Sequence, residues 1–302
     1  MLNKIKKVLK NPWRLVLSFS SRGWLNFLPD KIYLKLIYRA KLGKKLNLKS
    51  PKTFNEKLQW LKLYNRKPEY TKLVDKYEVK KYVADLIGEE YIIPTLGVWD
   101  KFDDIEFDTL PNSFVLKCTH DSGGLVICED KSKFDFEAAK SKIERSLKRN
   151  YYKHGREWVY KNIKPRIIAE EFMQDKTTKE LRDYKFFAFD GVPKVLFVAS
   201  ERQNKEEETK FDFFDMDYNH LDFTNGHPNA DRLPQKPLGF EEMKKLAGEL
   251  SKDIPQLRVD FYEVDGKIYF GELTFFHWSG TMPFKPCEWD EKLGDYIKLP
   301  SR

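Results

Sequence analysis

An α+β fold, with helices gathered at the front of the chain and antiparallel sheet behind them, is predicted by three observations. Over the first ninety residues apolar side chains recur at helical spacing. After Gly88 the period drops to two. Two Asp-Gly pairs, Asp190-Gly191 and Asp265-Gly266, then join apolar runs with the turn chemistry of a type I′ hairpin. At 302 residues, with 23 Phe and 15 Tyr, the chain has material for one large domain or two ordinary ones with a real core.

The elements follow in order. Leu2, Ile5, Leu9 and Trp13 share one face of a first helix, with Lys4, Lys6, Lys7, Lys10 and Arg14 around the rest. Asn11-Pro12 ends it and starts the next, because Pro suits the first helical position. Asp30 is placed to cap a helix that stops near Gly43. Thr53-Phe-Asn-Glu56 reads as a capping box ahead of Leu58, Leu61 and Leu63, and Asp75-Lys-Tyr-Glu78 as another, ahead of a helix ending near Gly88. Strands are expected over 92–98, 113–118 and 125–128, a helix over 136–149 and a strand over 166–170. Hairpins over 184–200 and 257–274 flank a helix at 239–253, and 201–209 and 225–238 read as loops. The chain thus divides into a basic helical arm (1–50), a helical lead-in (51–90) and two α+β units (91–175 and 176–302).

The formal net charge of +8 is unevenly placed. Residues 1–49 carry thirteen Lys/Arg and one acid, Asp30, a net +12 that leaves the other 253 residues at −4. A mildly acidic body with no stacked-aromatic or helix-turn-helix pattern argues against nucleic acid as a partner. Three cysteines, Cys118, Cys128 and Cys287, are too few and too irregularly spaced for a disulfide framework or a zinc site. No run approaches the ~18 apolar residues of a membrane span. The stretch 15–19 is too short for a signal-peptide core, so a cytoplasmic location is expected. Two readings of the arm stand. Its basic face with Leu2, Ile5, Leu9, Trp13 and Trp24 suits an anionic membrane, making the protein peripheral at the inner face of the cell membrane. Alternatively, the helices pack on the core with their lysines in solvent.

Three stretches carry chemistry. In 114–128 an apolar strand ends in Lys117, a loop containing Ser122, Gly123 and Gly124 turns, and a second apolar strand returns. The glycines would let backbone N–H groups approach an anion, with Lys117 adding a point charge; the rival reading is an ordinary hairpin. In 167–173 adjacent Glu170 and Glu171 end an apolar strand and alternate sides, so that one faces a cleft and the other solvent, unless both cap a solvated strand end. Finally, Asp260 and Glu272 lie six residues either side of Gly266, which places them opposite one another on one face, with Arg258 two residues before Asp260. Opposed carboxylates repel without a cation, a motive for Mg²⁺; a surface ladder neutralised by Arg258 is the alternative.

In this order the motifs resemble the ATP-grasp fold. The segments Lys57-Leu-Gln-Trp-Leu-Lys62, Val115 to Gly124, Asp183-Tyr-Lys-Phe-Phe187 and Gly271-Glu-Leu-Thr-Phe275 resemble the TupA-like ATP-grasp family, over roughly residues 40–300. That family is associated with bacterial teichuronopeptide and capsular polysaccharide gene products. The resemblance implies two α+β subdomains with a nucleotide between two antiparallel sheets, preceded by the helical region. It implies ATP and Mg²⁺ as cofactors. Lys76 and Lys117 would hold phosphates, with Ser122, Gly123 and Gly124 as a flap. Glu170, Glu171 and Met173 would lie at the adenine hinge, and Asp183 and Lys185 at ribose or triphosphate. Asp260, Glu272 and Thr274 would be metal ligands, the family's usual Asn standing here as Thr. Arg258, near the transferred phosphoryl group, and Lys117 would be catalytic. His120, His277, Ser279 and Gly280 would touch substrate.

The implied reaction is carboxylate–amine ligation through an acyl phosphate, joining a small-molecule carboxylate such as a uronic acid to an amino acid or amine, in cell-surface polysaccharide biosynthesis. Such chemistry needs positioned charge and no side-chain nucleophile. The alternative is a glycosyltransferase acting on a sugar precursor, with Asp215-Met-Asp217 as a metal-binding D-x-D. Against it, the first ninety residues read as helix where a nucleotide-binding βαβ unit is expected. A third reading is a membrane-docked scaffold without turnover.

Overall fold

The computed structural model describes residues 12–176, 181–201 and 208–301; the helix expected over residues 2–11 lies outside them. Helix α1 (Trp13–Ser21) follows Pro12, whose φ of −61° suits helix entry, and buries no side chain completely. Helix α2 (Asp30–Leu42) ends at Gly43 in the left-handed conformation, φ 71°. Asp30 does not cap it. Pro29 occupies the cap position, and the Asp30 carboxylate instead accepts from Arg66 at 2.6 Å and from the Tyr152 hydroxyl at 2.5 Å. Helix α3 (Phe54–Tyr64) has both halves of its capping box. A short helix α4 (Tyr70–Val74), not foreseen, precedes α5 (Glu78–Ile87). There Asp75 accepts from the N–H groups of Tyr77 and Glu78 at 2.8 and 3.1 Å, but Glu78 turns to Arg166, so this second box is half made.

Four antiparallel strands form the first sheet: β1 (Thr95–Trp99), β2 (Phe114–Cys118), β3 (Leu125–Cys128) and β4 (Ile167–Glu171), in the order β1–β4–β2–β3. Helix α6 (Phe136–Leu147) packs Ala139 and Ile143 against Phe114, Leu116 and Ile167 to close a small core of its own. The one-turn helix α7 (Tyr152–Gly155) leads on to β4. A larger antiparallel sheet follows, built from β5 (Asp183–Phe189), β6 (Val192–Ser200), β7 (Lys210–Phe214) and β8 (His220–Leu221). After the two-residue β9 (Thr224–Asn225) and helix α8 (Phe240–Leu250) it is completed by β10 (Leu257–Val264) and β11 (Lys267–Thr274), in the order β11–β10–β5–β6–β7–β8. A short β12 (Phe284–Lys285) pairs with β9, and α9 (Glu288–Tyr296), also unforeseen, ends the chain.

Every residue of β5 is buried, because α8 covers one face of this sheet and the N-terminal helices the other. Both Asp-Gly turns have positive φ at both central residues (48° and 81°, 51° and 78°), as a type I′ turn requires. The described part of the N-terminal region packs on the body. Tyr33, Leu34, Ile37 and Tyr38 of α2 enter the main core, whereas Trp24 and Phe27, between α1 and α2, are 62% and 80% exposed. Among the described residues no helix is long and apolar enough to cross a membrane.

Candidate active site

Two adjoining cavities, of about 190 and 480 Å³, open in the cleft between the sheets, and Lys76, Asp121, Ser122 and Glu272 line both. On the β10–β11 side the hairpin sets the geometry. A two-residue turn pairs Val264 with Lys267, a register that carried on unbroken would set Asp260 opposite Gly271. A bulge between Asp260 and Phe261 adds one residue to β11 and brings Glu272 opposite Asp260. Gly271 suits the bulge, since a Cβ there would come within 3.0 Å of the Asp260 carbonyl oxygen. The equal offset from Gly266 thus gives the right pair, through a bulge the count did not contain.

Arg258 joins the two carboxylates. Its Nε and one terminal nitrogen donate to Asp260 at 2.7 and 2.6 Å, the latter nitrogen also donating to Glu272 at 2.7 Å, while the other terminal nitrogen donates to His277 Nδ1 at 3.0 Å. Arg258 and Asp260 are buried, while the Glu272 side chain, 41% exposed, opens onto the cleft. Lys185, opposite Asp260 on β5, pairs with both Asp260 and Asp183. Burial alone would raise the Glu272 pKa, but Arg258, Lys185 and Lys76 outweigh it and bring it down to about 2. Three carboxylates, Asp183, Asp260 and Glu272, thus face Arg258, Lys185 and, through its charge, Lys76. The guanidinium can only donate, so His277 Nδ1 accepts, and its Nε2–H donates to Asn225 at 2.9 Å. Burial, then Arg258 and Lys185, hold this imidazole neutral.

Across the cleft, Glu170 faces inward and Glu171 is exposed, as their alternation requires. The Glu170 carboxylate pairs with Lys117 and with Lys80 of α5, each at 2.5 Å. Burial would raise its pKa, yet the two ammonium groups hold it below the usual carboxylate value. Lys80 had no signal in the sequence, because only the fold brings α5 over β4. In the glycine loop, Asp121 Oδ1 accepts from the N–H groups of Gly123 and Gly124 at 3.2 and 2.9 Å, so a carboxylate already occupies the anion-facing amides. Gly124 also has a packing role: a Cβ there would meet Cys118 Sγ at 2.5 Å and Ser146 Oγ at 2.7 Å.

The larger cavity has aromatic walls, including Tyr151, Tyr160 and Phe276, and contains Lys41, Glu157, His277 and Ser279. Trp278, Ser279 and Gly280 are all left-handed, with φ of 47°, 56° and 58°, an arrangement costing of order 1–3 kcal/mol at each non-glycine residue. The fully buried Lys62 holds this loop, donating to the Ser279 carbonyl (2.8 Å), the Ser279 hydroxyl (2.7 Å) and the Gly155 carbonyl (2.8 Å). Burial lowers the Lys62 pKa to about 8, against the opposing charge of Glu157. Sequence reasoning gave no role to Lys41, Lys62 or Glu157: Lys41 and Glu157 come from segments without a motif, and Lys62 ends the family-like segment 57–62 with nothing there to show what it holds.

The cleft therefore collects Lys76, Lys117, Ser122, Gly124, Glu170, Lys185, Arg258, Glu272, Thr274, His277 and Ser279 along its walls. Asp183 and Asp260 lie directly beneath, paired with Lys185. Glu171, Met173, Gly123 and Gly280 line neither cavity. His120 does not either. It is turned inward, with Nε2 3.1 Å from the Ser146 and Arg149 carbonyls at the end of α6. Asp215 accepts from the N–H groups of Asp217 and Asn219 at 2.9 and 2.8 Å, fixing the turn after β7 outside both cavities; the glycosyltransferase reading has no support. For a metal, Glu272 and the Thr274 hydroxyl offer at the cavity wall the hard oxygens that suit Mg²⁺, with Asp260 behind them held by Arg258 and Lys185. No group of three or more His, Cys, Asp or Glu gathers as a metal cage among the described residues, so the triphosphate and water would complete the coordination.

Comparisons with known proteins place these observations. No curated protein sequence matches. Solved structures similar in part include the L-amino acid ligase from Bacillus licheniformis (14% identity, TM-score 0.47, covering 84% of this chain and 57% of that one). The D-alanine–D-alanine ligase from Helicobacter pylori is similar at 15% identity and TM-score 0.43, covering 81% and 69%. That from Bacillus anthracis, complexed with ATP, has 17% identity and TM-score 0.39; 67% of this chain is covered, and it spans only 53% of that enzyme. The TupA-like ATP-grasp family model matches residues 56–298, four-fifths of the chain. With that match, and with two antiparallel sheets facing each other across a cleft of paired lysines and carboxylates, the chain belongs to the TupA-like ATP-grasp family.

Proposed function

We propose that the protein is an ATP- and Mg²⁺-dependent carboxylate–amine ligase working through an acyl phosphate. The observation that carries this is the convergence, from opposite sheets, of Lys117 with Glu170 and of Arg258 with Asp260 and Glu272, joined by Lys76 and Ser122 where the two cavities meet. The nucleotide takes the smaller cavity, with Lys76, Lys80 and Lys117 toward its phosphates and Ser122 and Gly124 over them. Asp260, Glu272 and Thr274 hold Mg²⁺, which when bound offsets the phosphate charge. Arg258 stabilises the transferred phosphoryl group, and Lys185 and Asp183 hold Asp260 in place. Phosphoryl transfer of this kind is driven by positioning and by fixed charge. The second substrate enters the larger cavity. A uronic-acid carboxylate and an amino acid or amine are the substrate classes, and cell-surface polysaccharide biosynthesis the setting; both rest on the family.

Calorimetry with Mg·ATP and with Mg·UDP-sugars, followed by ADP release over a panel of uronates and amino acids, tests the reading. UDP-sugar binding without ATP binding would sink it. A second reading concerns placement. The exposed Trp24 and Phe27, beside Arg22 and Lys31, favour a peripheral contact with anionic lipid. Deleting residues 1–28 should then release the protein from phosphatidylglycerol vesicles while ATP binding is kept, and equal retention by the truncated chain rejects the contact.

A further inference from the structure

The buried carboxylate of Glu157 has no place in the chemistry above, although it lines the larger cavity. It follows the single turn of α7, where Arg156 (φ 54°) reverses the chain. Its hydrogen-bond partner is Ser279, the residue that the strained loop and two Lys62 bonds fix in place. Lys62, Lys41 and Arg258 act on it through their charge, but it makes no ion pair among the described residues. Burial raises its pKa, and those cations oppose the rise. The rings of Tyr151 and Tyr160, 5.0 Å apart, stand in the same cavity, and the charges of both Glu157 and Glu272 reach them. A buried carboxylate without an ion pair among the described residues, in a cavity walled by aromatic faces, is a receptor for an ammonium group.

We infer that Glu157, aligned by Ser279, is the catalytic residue that binds the primary ammonium of the acceptor and takes its proton before attack. This rests on the ligase reading. The ammonium gives one proton to the Glu157 carboxylate. The free amine then attacks the acyl-phosphate carbonyl, the C–N bond forms, the C–O bond to phosphate breaks, and phosphate leaves with that electron pair. The nitrogen's second proton goes to the departing phosphate, and Glu157 returns its proton to solvent. A base in the cavity contributes typically 10²–10⁴-fold to such a step.

Hydroxylamine separates this role from the rest, because it is uncharged at neutral pH and needs no base. The full chain is given Mg·ATP, a panel of uronates and amino acids as carboxylates, and either hydroxylamine or a panel of amino acids, ethanolamine and putrescine. Hydroxamate and amide are quantified. Glu157→Gln should make hydroxamate at close to the wild-type rate while amide formation falls by about 100-fold or more. Ser279→Ala, which leaves the carboxylate in place, should lose about 10-fold in amide alone. This second variant decides the matter if Glu157→Gln fails to fold. Equal losses of hydroxamate and amide, or no loss of amide, overturn the inference and leave the ligase reading standing. No hydroxamate from the wild-type protein with any carboxylate rejects the ligase reading itself.

Discussion

Glu170 is clamped between Lys80 and Lys117, each ammonium at 2.5 Å, with the three side chains between 6% and 21% exposed. Glu170→Gln keeps the shape, removes the charge and leaves two partly desolvated ammonium groups facing one another. Breaking a buried pair costs about 3–5 kcal/mol, and the partial exposure of Lys117 places this case near the lower bound, about 3 kcal/mol. At about 2–4 °C per kcal/mol for a large domain, the melting temperature should fall by roughly 6–12 °C. Differential scanning calorimetry at pH 7 and low salt measures the fall. The pH dependence has a definite sign. The folded-state pKa of Glu170 is lowered, so its contribution is complete above the ordinary carboxylate range and is lost as pH drops through the lowered value. The gap between wild type and variant should therefore stay constant from pH 6 to 8. Tripolyphosphate, which brings anionic charge without adenine, should restore more stability to the variant than it adds to the wild type. A variant that melts with the wild type, or that gains nothing extra from tripolyphosphate, refutes the view that Glu170 balances a phosphate-binding pair of lysines.

Other consequences are more direct. Lys117→Ala and Glu272→Ala should abolish ADP release with the far-UV circular dichroism unchanged; unaltered turnover removes either residue from the site. Gly124→Ala should cost about 1–3 kcal/mol in urea unfolding, because its Cβ meets the buried Cys118 and Ser146. Gly123→Ala should cost less, since the nearest obstacle is the mobile end of Arg149 at 2.9 Å. Thr53→Ala removes the capping box of α3 and should cost about 1 kcal/mol, read by the same unfolding curves.

What could be read from the sequence was what local rules govern. The Thr53 box, the Gly43 stop and both Asp-Gly turns are each decided within a few residues, and each is found. The Asp260–Glu272 pairing needed one non-local device, a bulge, that no alternation pattern announces. The glycine loop was visible, but not that Asp121 would satisfy its amides, because a carboxylate two residues away competes with any external anion. His120 misled for a related reason. Adjacency to the glycines suggested the cleft, whereas the carbonyls at the end of α6, 26 and 29 residues away, turn the ring inward. Lys80, Lys41 and Glu157 were invisible for the opposite reason. Each is an ordinary charged residue in its own segment and becomes part of the site only when distant elements meet.

That last group bears on where the acceptor side of the cleft comes from. The family match begins at residue 56, yet Lys41 of α2 lines the larger cavity and donates to Thr281 at 3.1 Å, beyond the strained loop. The helix carrying it is tied to the body by Tyr33, Leu34, Ile37 and Tyr38, all buried. At about 2 kcal/mol or more apiece, these four side chains contribute on the order of 8 kcal/mol, comparable with the whole 5–15 kcal/mol that holds a domain folded. Two truncations should therefore behave in opposite ways. Removing residues 1–28 leaves α2 intact and should preserve a cooperative melt and Mg·ATP binding. Removing residues 1–45 strips one wall of the acceptor cavity and uncovers the main core, and should give a chain without a cooperative melt. If the shorter chain instead melts cooperatively and still binds Mg·ATP, α2 is an accessory to the cleft and not part of the body that forms it.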